Sequence, residues 1–191
     1  MKRIALLVCG LFLLVSGVAS AQDSPKIEAF GGYSYLRANA YGSGYNFNGG
    51  SGSLDYNVTP WLGVVGDFGG YHWSQTDVDG TVVTYLFGPK LSYRAGRWTP
   101  FAQTLFGGAH LSGSVSEGPE VRPRPETSIG FGSGSENSFA MALGGGLDFN
   151  ATEHIGVRVI QAEYLYTDFG LGGGSDHQNN ARISAGVVFR W

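Results

Sequence analysis

The feature that most constrains this chain is a strict alternation of apolar residues with small or polar ones. In the segment 82–93, Val83, Tyr85 and Phe87 alternate with residues such as Thr84. A period of two residues places the two sets on opposite faces of a β-strand. The same alternation recurs in three other segments, namely 52–58, 139–149 and 182–191. The pattern therefore predicts an all-β protein.

Counting the segments that alternate in this way predicts eight strands. They lie near residues 26–36, 49–58, 62–72, 82–93, 101–111, 138–149, 155–167 and 181–191. An even number of strands suits an antiparallel sheet that closes on itself. A Phe-Gly-Gly motif begins at Phe30, Phe68 and Phe106, with a constant spacing of 38 residues. This spacing matches one hairpin together with its longer connection.

The connections between these segments alternate in length. Three are short, at 59–61, 94–100 and 150–154, whereas those at 37–48, 73–81, 112–137 and 168–180 are longer and polar. Bacterial outer-membrane barrels have short periplasmic turns and longer extracellular loops. A soluble β-sandwich has no reason to alternate in this way. The pattern thus favours a barrel that crosses a membrane with strands.

Residues 1–21 have the order of parts found in a secretory signal peptide. The charged Lys2 and Arg3 are followed by an apolar run and by the small-residue site Ala19-Ser20-Ala21. The apolar run is too short for a transmembrane helix, which needs about 20 apolar residues. We therefore expect cleavage of 1–21 and a single barrel domain over 22–191. Cys9 is the only cysteine and belongs to the leader, so no disulfide is expected after cleavage.

The face opposite the apolar residues carries charges of both signs. We expect eight of them to point into the barrel: Glu28, Asp67, Lys90, Asp148, Arg158, Glu163, Arg182 and Arg190. Paired charges suit a polar interior, whereas aromatic residues near the strand ends suit the membrane interfaces. Because the net charge is −3 and no Lys/Arg cluster exists, we expect no binding to nucleic acid.

The seventh segment keeps its alternation only if a β-bulge interrupts it. A bulge near Ile160 places Arg158, Gln161 and Glu163 on one face. The expected interior pairs are Lys90 with Asp67 or Glu28, and Arg158 and Arg182 with Glu163 or Asp148.

Several motifs resemble those of the OmpA-like and OmpX-like small outer-membrane barrels, the family of the outer membrane protein beta-barrel domain. They are the opening strand Glu28–Tyr35, the hairpin Tyr56–Trp61, the strand entry Pro100-Phe101 and the C-terminal pattern ending in Trp191. The resemblance implies an eight-stranded antiparallel up-and-down transmembrane β-barrel in the Gram-negative outer membrane. It also implies an assembly signal at Ile183, Ala185, Val187, Phe189 and Trp191.

The resemblance further implies which partners the barrel has. They are outer-membrane lipid, lipopolysaccharide and the outer-membrane assembly machinery. We expect a monomer without a cofactor, and no peptidoglycan-binding domain after the barrel.

Candidate chemistry is sparse outside the barrel wall. The histidines lack metal-ligand spacing, and the acids Asp77 and Asp79 suit solvated surface. Arg122 and Arg124, in a segment with three prolines, are candidates for contact with a host, a phage or lipopolysaccharide phosphates.

One motif suggests an enzyme. The sequence His110-Leu111-Ser112, with Glu117 and Glu120 beyond it, resembles the catalytic motif of lipid A deacylases, although Gly113-Ser114 replaces the Asn-Ala of that family. We therefore expect a structural, adhesive or surface-interaction role without catalysis. The alternatives are a deacylase-like enzyme and a narrow diffusion pore.

Overall fold

The computed structural model describes residues 25–40, 43–75, 78–115, 134–169 and 176–191. The leader expected at 1–21 and the contact candidates Arg122 and Arg124 lie outside the described residues. The described residues form eight strands: β1 (Ile27–Ala40), β2 (Ser43–Asn57), β3 (Leu62–Gln75), β4 (Val78–Ser92), β5 (Trp98–Val115), β6 (Gly134–Asn150), β7 (Ile155–Phe169) and β8 (Asp176–Arg190).

Each strand pairs antiparallel with the next one along the chain, and β8 pairs with β1 to close the barrel. At the closing pair, Glu28 lies opposite Arg190 and Arg37 opposite Ala181. Closure leaves no sheet edge with unpaired backbone groups, which a bilayer would not tolerate. The predicted up-and-down barrel is confirmed. Among the described residues, no helix is long and apolar enough to cross a membrane.

The two-residue period decides which side chains point inward. On β4, Thr84, Leu86 and Lys90 are buried, whereas Tyr85 and Phe87 between them are exposed. The other strands repeat this division, so large apolar side chains cover the outer wall. An exposed apolar surface that encircles the protein is what a lipid bilayer covers.

The predicted bulge in β7 is confirmed. The pairing of β7 with β8 shifts between Arg158 and Gln161, so Val159 and Ile160 are both exposed on the outer wall. The extra residue restores the inward direction, and Arg158, Gln161 and Glu163 are all buried. Without the bulge, Gln161 and Glu163 would face lipid.

The longer connections are shorter than the sequence suggests. The expected loop at 37–48 is mostly paired strand, because β1 continues to Ala40 and β2 begins at Ser43. The strands likewise extend into the other three expected loops, at 73–81, 112–137 and 168–180. Strands of 14 to 18 residues exceed the roughly 9–11 residues that cross a bilayer. The barrel therefore continues beyond the membrane at this long-connection end.

The opposite end, here called the short-turn end, has the three tight turns that the sequence predicts. Side-chain hydrogen bonds stabilise two of them. Thr59 Oγ1 accepts a hydrogen bond from Leu62 N at 2.9 Å, and Thr152 Oγ1 accepts one from Ile155 N at 3.0 Å. In the third turn Gly96 has a φ of 59°, which glycine adopts without strain.

Glycine also permits the close approach of the two strands that close the barrel. A Cβ atom added to Gly32 of β1 would overlap the carbonyl oxygen of Ala185 on β8. The neighbouring Gly31 faces outward, and a Cβ there would meet nothing within 4 Å. The pairing of β1 with β8, here called the seam, therefore requires glycine at position 32 but not at position 31.

Candidate functional site

The buried charges of the barrel interior are the most concentrated polar feature of the described chain. At the short-turn end, Glu28 of β1 collects three cations. Lys90 Nζ lies 3.4 Å from its Oε2, Arg94 Nη1 lies 2.9 Å from its Oε1, and Arg190 Nε lies 3.5 Å from the same Oε1. Lys90 also pairs with Asp55 of β2. These contacts join four strands and one turn across the lumen.

Asp148 of β6 is the second centre of this cluster. Arg158 Nε donates to its Oδ1 at 2.9 Å, and Arg190 Nη2 donates to its Oδ2 at 3.3 Å. The Arg158 guanidinium also lies over the rings of Phe30 and Phe101, 4.3 and 4.4 Å from their centroids. Cation–π contact of this kind stabilises a buried guanidinium whose solvent has been removed. We call the seven residues Glu28, Asp55, Lys90, Arg94, Asp148, Arg158 and Arg190 the lower cluster.

A second cluster lies further from the short turns, around Arg182 of β8. Its Nε donates to Glu163 Oε2 at 2.6 Å, and its Nη1 donates to Asp67 Oδ1 at 2.6 Å and to the Tyr71 hydroxyl at 3.3 Å. Glu163 additionally accepts from Gln103 Nε2 at 2.8 Å. The residues Asp67, Glu163 and Arg182 form the upper cluster.

Gln161 joins the two clusters into one network. Its Oε1 accepts from Arg158 Nη1 at 2.7 Å, and its Nε2 donates to Glu163 Oε2 at 2.9 Å. The network thereby includes at least one side chain from every strand. It contains five carboxylates and five cations, so its formal charge is zero.

All eight residues predicted to face inward are buried in the lumen. Arg158 pairs with Asp148 and Arg182 with Glu163, within the expected sets. Of the two partners expected for Lys90, Glu28 is present, but Asp67 pairs with Arg182 instead. The register explains this, since Lys90 lies opposite Gly63, four residues along β3 from Asp67.

Two charged members of the network were not predicted from the sequence. Asp55 lies on the polar face of β2, between Ser53 and Asn57, and this alternation was the signal that could have identified it. Arg94 belongs to the turn after β4, and its side chain reaches back to Glu28 and to the carbonyl of Pro60. No periodic pattern marks a turn residue as part of the interior.

Beyond the upper cluster the interior becomes mainly apolar, although Thr84, Ser138, Thr167 and Asn180 are also buried there. Leu86, Leu105 and Leu165 are fully buried there with smaller side chains from the neighbouring strands. Phe47 and Leu36 of the first hairpin belong to the same apolar cluster. The lumen is therefore filled by an ionic layer followed by an apolar layer.

The five residues of the expected assembly signal lie along one face of β8 and at its end. Ile183, Val187, Phe189 and Trp191 are exposed on the outer wall, and Ala185 shares their face. The Trp191 ring stacks on Phe189, and its backbone exchanges two hydrogen bonds with Ile27. The C-terminal residue is thus fixed beside the first residue of β1.

The candidate catalytic residues lie at the long-connection end of β5. His110 Nδ1 is 2.8 Å from Asn137 Oδ1, and Ser112 is opposite Ser135 in the register. The acids Glu117 and Glu120 lie outside the described residues, as does Asp77. In the part of the chain that the structure describes, no group of His, Cys, Asp or Glu could hold a metal ion.

Eight antiparallel strands closed into a barrel, with an apolar outer wall and a charged interior, define a small transmembrane β-barrel protein. Residues 5–189 match the family model of the outer membrane protein beta-barrel domain, and the chain belongs to that family. It is a protein of the bacterial outer membrane, as the sequence predicts.

Solved barrels with the same fold come from several bacteria. Neisserial surface protein A is similar with a TM-score of 0.62 at 13% identity, covering 89% of this chain and 100% of that one. Ail, the attachment invasion locus protein of Yersinia pestis, is similar with a TM-score of 0.58 at 20% identity. The match covers 88% of this chain and 99% of Ail. The N-terminal barrel of Pseudomonas aeruginosa OprF is similar with a TM-score of 0.51 at 16% identity. That match covers 88% of this chain and 100% of the OprF barrel. No curated protein matches the chain in sequence.

Proposed function

We propose that this barrel is a non-catalytic surface protein that presents its long-connection end outside the cell for structural or adhesive contact. The observation that carries the proposal is the filled lumen, in which the ionic layer and the apolar layer follow one another. A filled interior leaves the rim and the segments between the strands as the surface for interaction. The short-turn end then faces the periplasm.

The filled lumen also argues against the diffusion pore. Lys90, Arg158 and Arg182 are almost completely buried and are each bound to carboxylates. An ion that passed through would have to displace these contacts and then cross a mainly apolar layer. Planar-bilayer recordings should therefore give no steady conductance steps, and reproducible steps would contradict the proposal.

Contact with a surface ligand is the finer part of the proposal. Arg122 and Arg124 are our candidates, because an arginine can bind phosphate or sulfate groups with two parallel hydrogen bonds. The similar barrel Ail has been solved in complex with the heparin analogue sucrose octasulfate. That complex supports testing polyanions as ligands of this chain.

The experiment compares bacteria that display the barrel with bacteria that display its R122A/R124A variant. We expect binding to immobilised heparin or to host cells to fall at least fivefold in the variant. The matched control is R97Q, which removes an exposed arginine from the short-turn end and should leave binding unchanged. Equal binding by all three proteins would contradict the contact through Arg122 and Arg124.

The absence of catalysis needs a separate test. Among the described residues His110 pairs with the Asn137 amide oxygen, and Glu117 and Glu120, the expected orienting acids, lie outside the described residues. We expect the lipid A mass spectrum to be the same with the wild-type protein, with S112A and with an empty vector. Loss of one acyl chain that depends on Ser112 would establish the deacylase alternative.

Export and assembly complete the proposal. Residues 1–21 act as the signal peptide, and the outer row of β8 from Ile183 to Trp191 is read by the outer-membrane assembly machinery. The mature barrel is a monomer that contacts outer-membrane lipid and lipopolysaccharide. N-terminal sequencing of the purified protein should begin at Gln22.

A further inference from the structure

Two arginines at the short-turn end of the lumen retain hydrogen-bond donors that no described residue accepts. Arg94 and Arg190 both approach Glu28 Oε1. Among the described residues, Arg94 Nη2 and Arg190 Nη1 are nevertheless buried without a hydrogen-bond partner, and Arg190 Nε, 3.5 Å from Glu28 Oε1, makes no hydrogen bond. Arg190 is only 3% exposed. Because buried guanidinium donors rarely remain unsatisfied, an acceptor other than Glu28 belongs beside these two side chains.

The charge balance indicates which kind of acceptor fits. The lower cluster contains four cations, namely Lys90, Arg94, Arg158 and Arg190, but only three carboxylates, namely Glu28, Asp55 and Asp148. The upper cluster has the opposite imbalance, with two carboxylates around Arg182. The neutral Gln161 lies between the two and bonds to both. One unit of positive charge is therefore left in excess near the donors, and an anion would balance it.

The position of the donors gives access from the aqueous side of the short turns. Arg94 lies in the turn at 93–97, and 13% of its side chain is exposed. Among the buried residues near this mouth, Asn57, Ser92 and Thr99 are polar and uncharged. An anion can thus reach the donors without crossing the apolar layer at the other end of the lumen.

We propose that Arg94 and Arg190 form a binding site for one small inorganic anion, chloride or phosphate, at the short-turn mouth of the lumen. The anion accepts from the free guanidinium nitrogens and balances the excess charge of the lower cluster. A site of this kind binds the folded barrel only, so the anion stabilises the barrel by mass action. This site is independent of the surface contact proposed above.

The test is an anion titration of the purified barrel in nonionic detergent at pH 7. Sodium chloride or sodium phosphate replaces sodium gluconate at constant ionic strength, and tryptophan fluorescence reports the Tm. We expect the Tm to rise along a saturating curve with at least one of the two anions. Saturation with chloride alone identifies a halide site, and saturation with phosphate alone identifies an oxyanion site.

Two variants locate the effect. R94Q should weaken the apparent affinity at least tenfold, because it removes one charge and one free donor. R97Q, which alters an exposed arginine of the same turn, should reproduce the wild-type curve. If R94Q does not refold, R94K retains the charge without the planar pair of donors and should also bind more weakly. A flat wild-type titration, or equal curves for wild type, R94Q and R94K, would overturn the proposal and leave water as the acceptor.

Discussion

Replacing Arg182 with methionine should destabilise the barrel more than any other single exchange in the network. Arg182 is completely buried and is the only cation of the upper cluster. Its guanidinium donates to Glu163, to Asp67 and to the Tyr71 hydroxyl. Methionine replaces the arginine stem as far as Nε but cannot donate, so both carboxylates lose their ion pair while remaining buried.

The contacts that remain set the size of the effect. Glu163 keeps the amide donors of Gln103 and Gln161, whereas Arg182 is the one hydrogen-bond donor found for Asp67 among the described side chains. Removing one partner of a buried pair costs about 3–5 kcal/mol, because the other charge is left uncompensated. We expect a loss in this range for R182M. In D67N/R182M the stranded charge is gone, so the double variant should be at least about 1 kcal/mol more stable than R182M.

Equilibrium unfolding in urea measures this loss, with the barrel refolded in lipid vesicles and followed by tryptophan fluorescence. The exposed Arg97 provides the matched control, and R97M should change the free energy of unfolding by less than about 0.5 kcal/mol. The reasoning would be refuted if R182M unfolded within about 1 kcal/mol of wild type. It would also be refuted if D67N/R182M were less stable than R182M.

Three further predictions concern the two ends and the seam. A cysteine within 112–137 should react with an impermeant thiol reagent on intact cells, whereas a cysteine at Ala151 should not, and equal labelling would contradict the orientation. Deleting Trp191 should cause periplasmic accumulation and proteolysis in place of a heat-modifiable outer-membrane band, because the outer row of β8 loses its final aromatic residue. G32A should lower the free energy of unfolding by about 1–3 kcal/mol, because its Cβ overlaps the Ala185 carbonyl. G31A should leave the free energy of unfolding unchanged, and similar losses for both variants would contradict the seam geometry.

The fold was predictable because one pattern controlled nearly all of it. Every lipid-facing position needs an apolar residue, so the alternation survives along each strand, and even the β7 bulge follows from where Gln161 and Glu163 must point. The strand ends were not predictable. Beyond the membrane the outer face of β1 and β2 becomes polar, as at Arg37 and Asn46, while backbone pairing continues. A paired strand without an apolar outer face resembles a loop in the sequence.

The lumen was predictable as a set of charges but not as a set of pairs. Which residues meet depends on the stagger of the strands around the barrel, and no single strand contains that information. Asp67 and Asp55 both lie on polar faces, yet the stagger brings Asp55 to Lys90 and Asp67 to Arg182. Arg94 escaped prediction for another reason, because a turn has no periodicity that assigns its side chains to the interior.

The network that includes all eight strands has a mechanical consequence. Hydrogen bonds between neighbouring strands resist stretching around the circumference, but they do little to keep the cross-section round. Arg182 bridges β8 to β3, and Lys90 bridges β4 to β1, so these contacts cross the lumen in two directions. They act as struts. A barrel braced in this way resists flattening when the lateral pressure of the surrounding membrane changes.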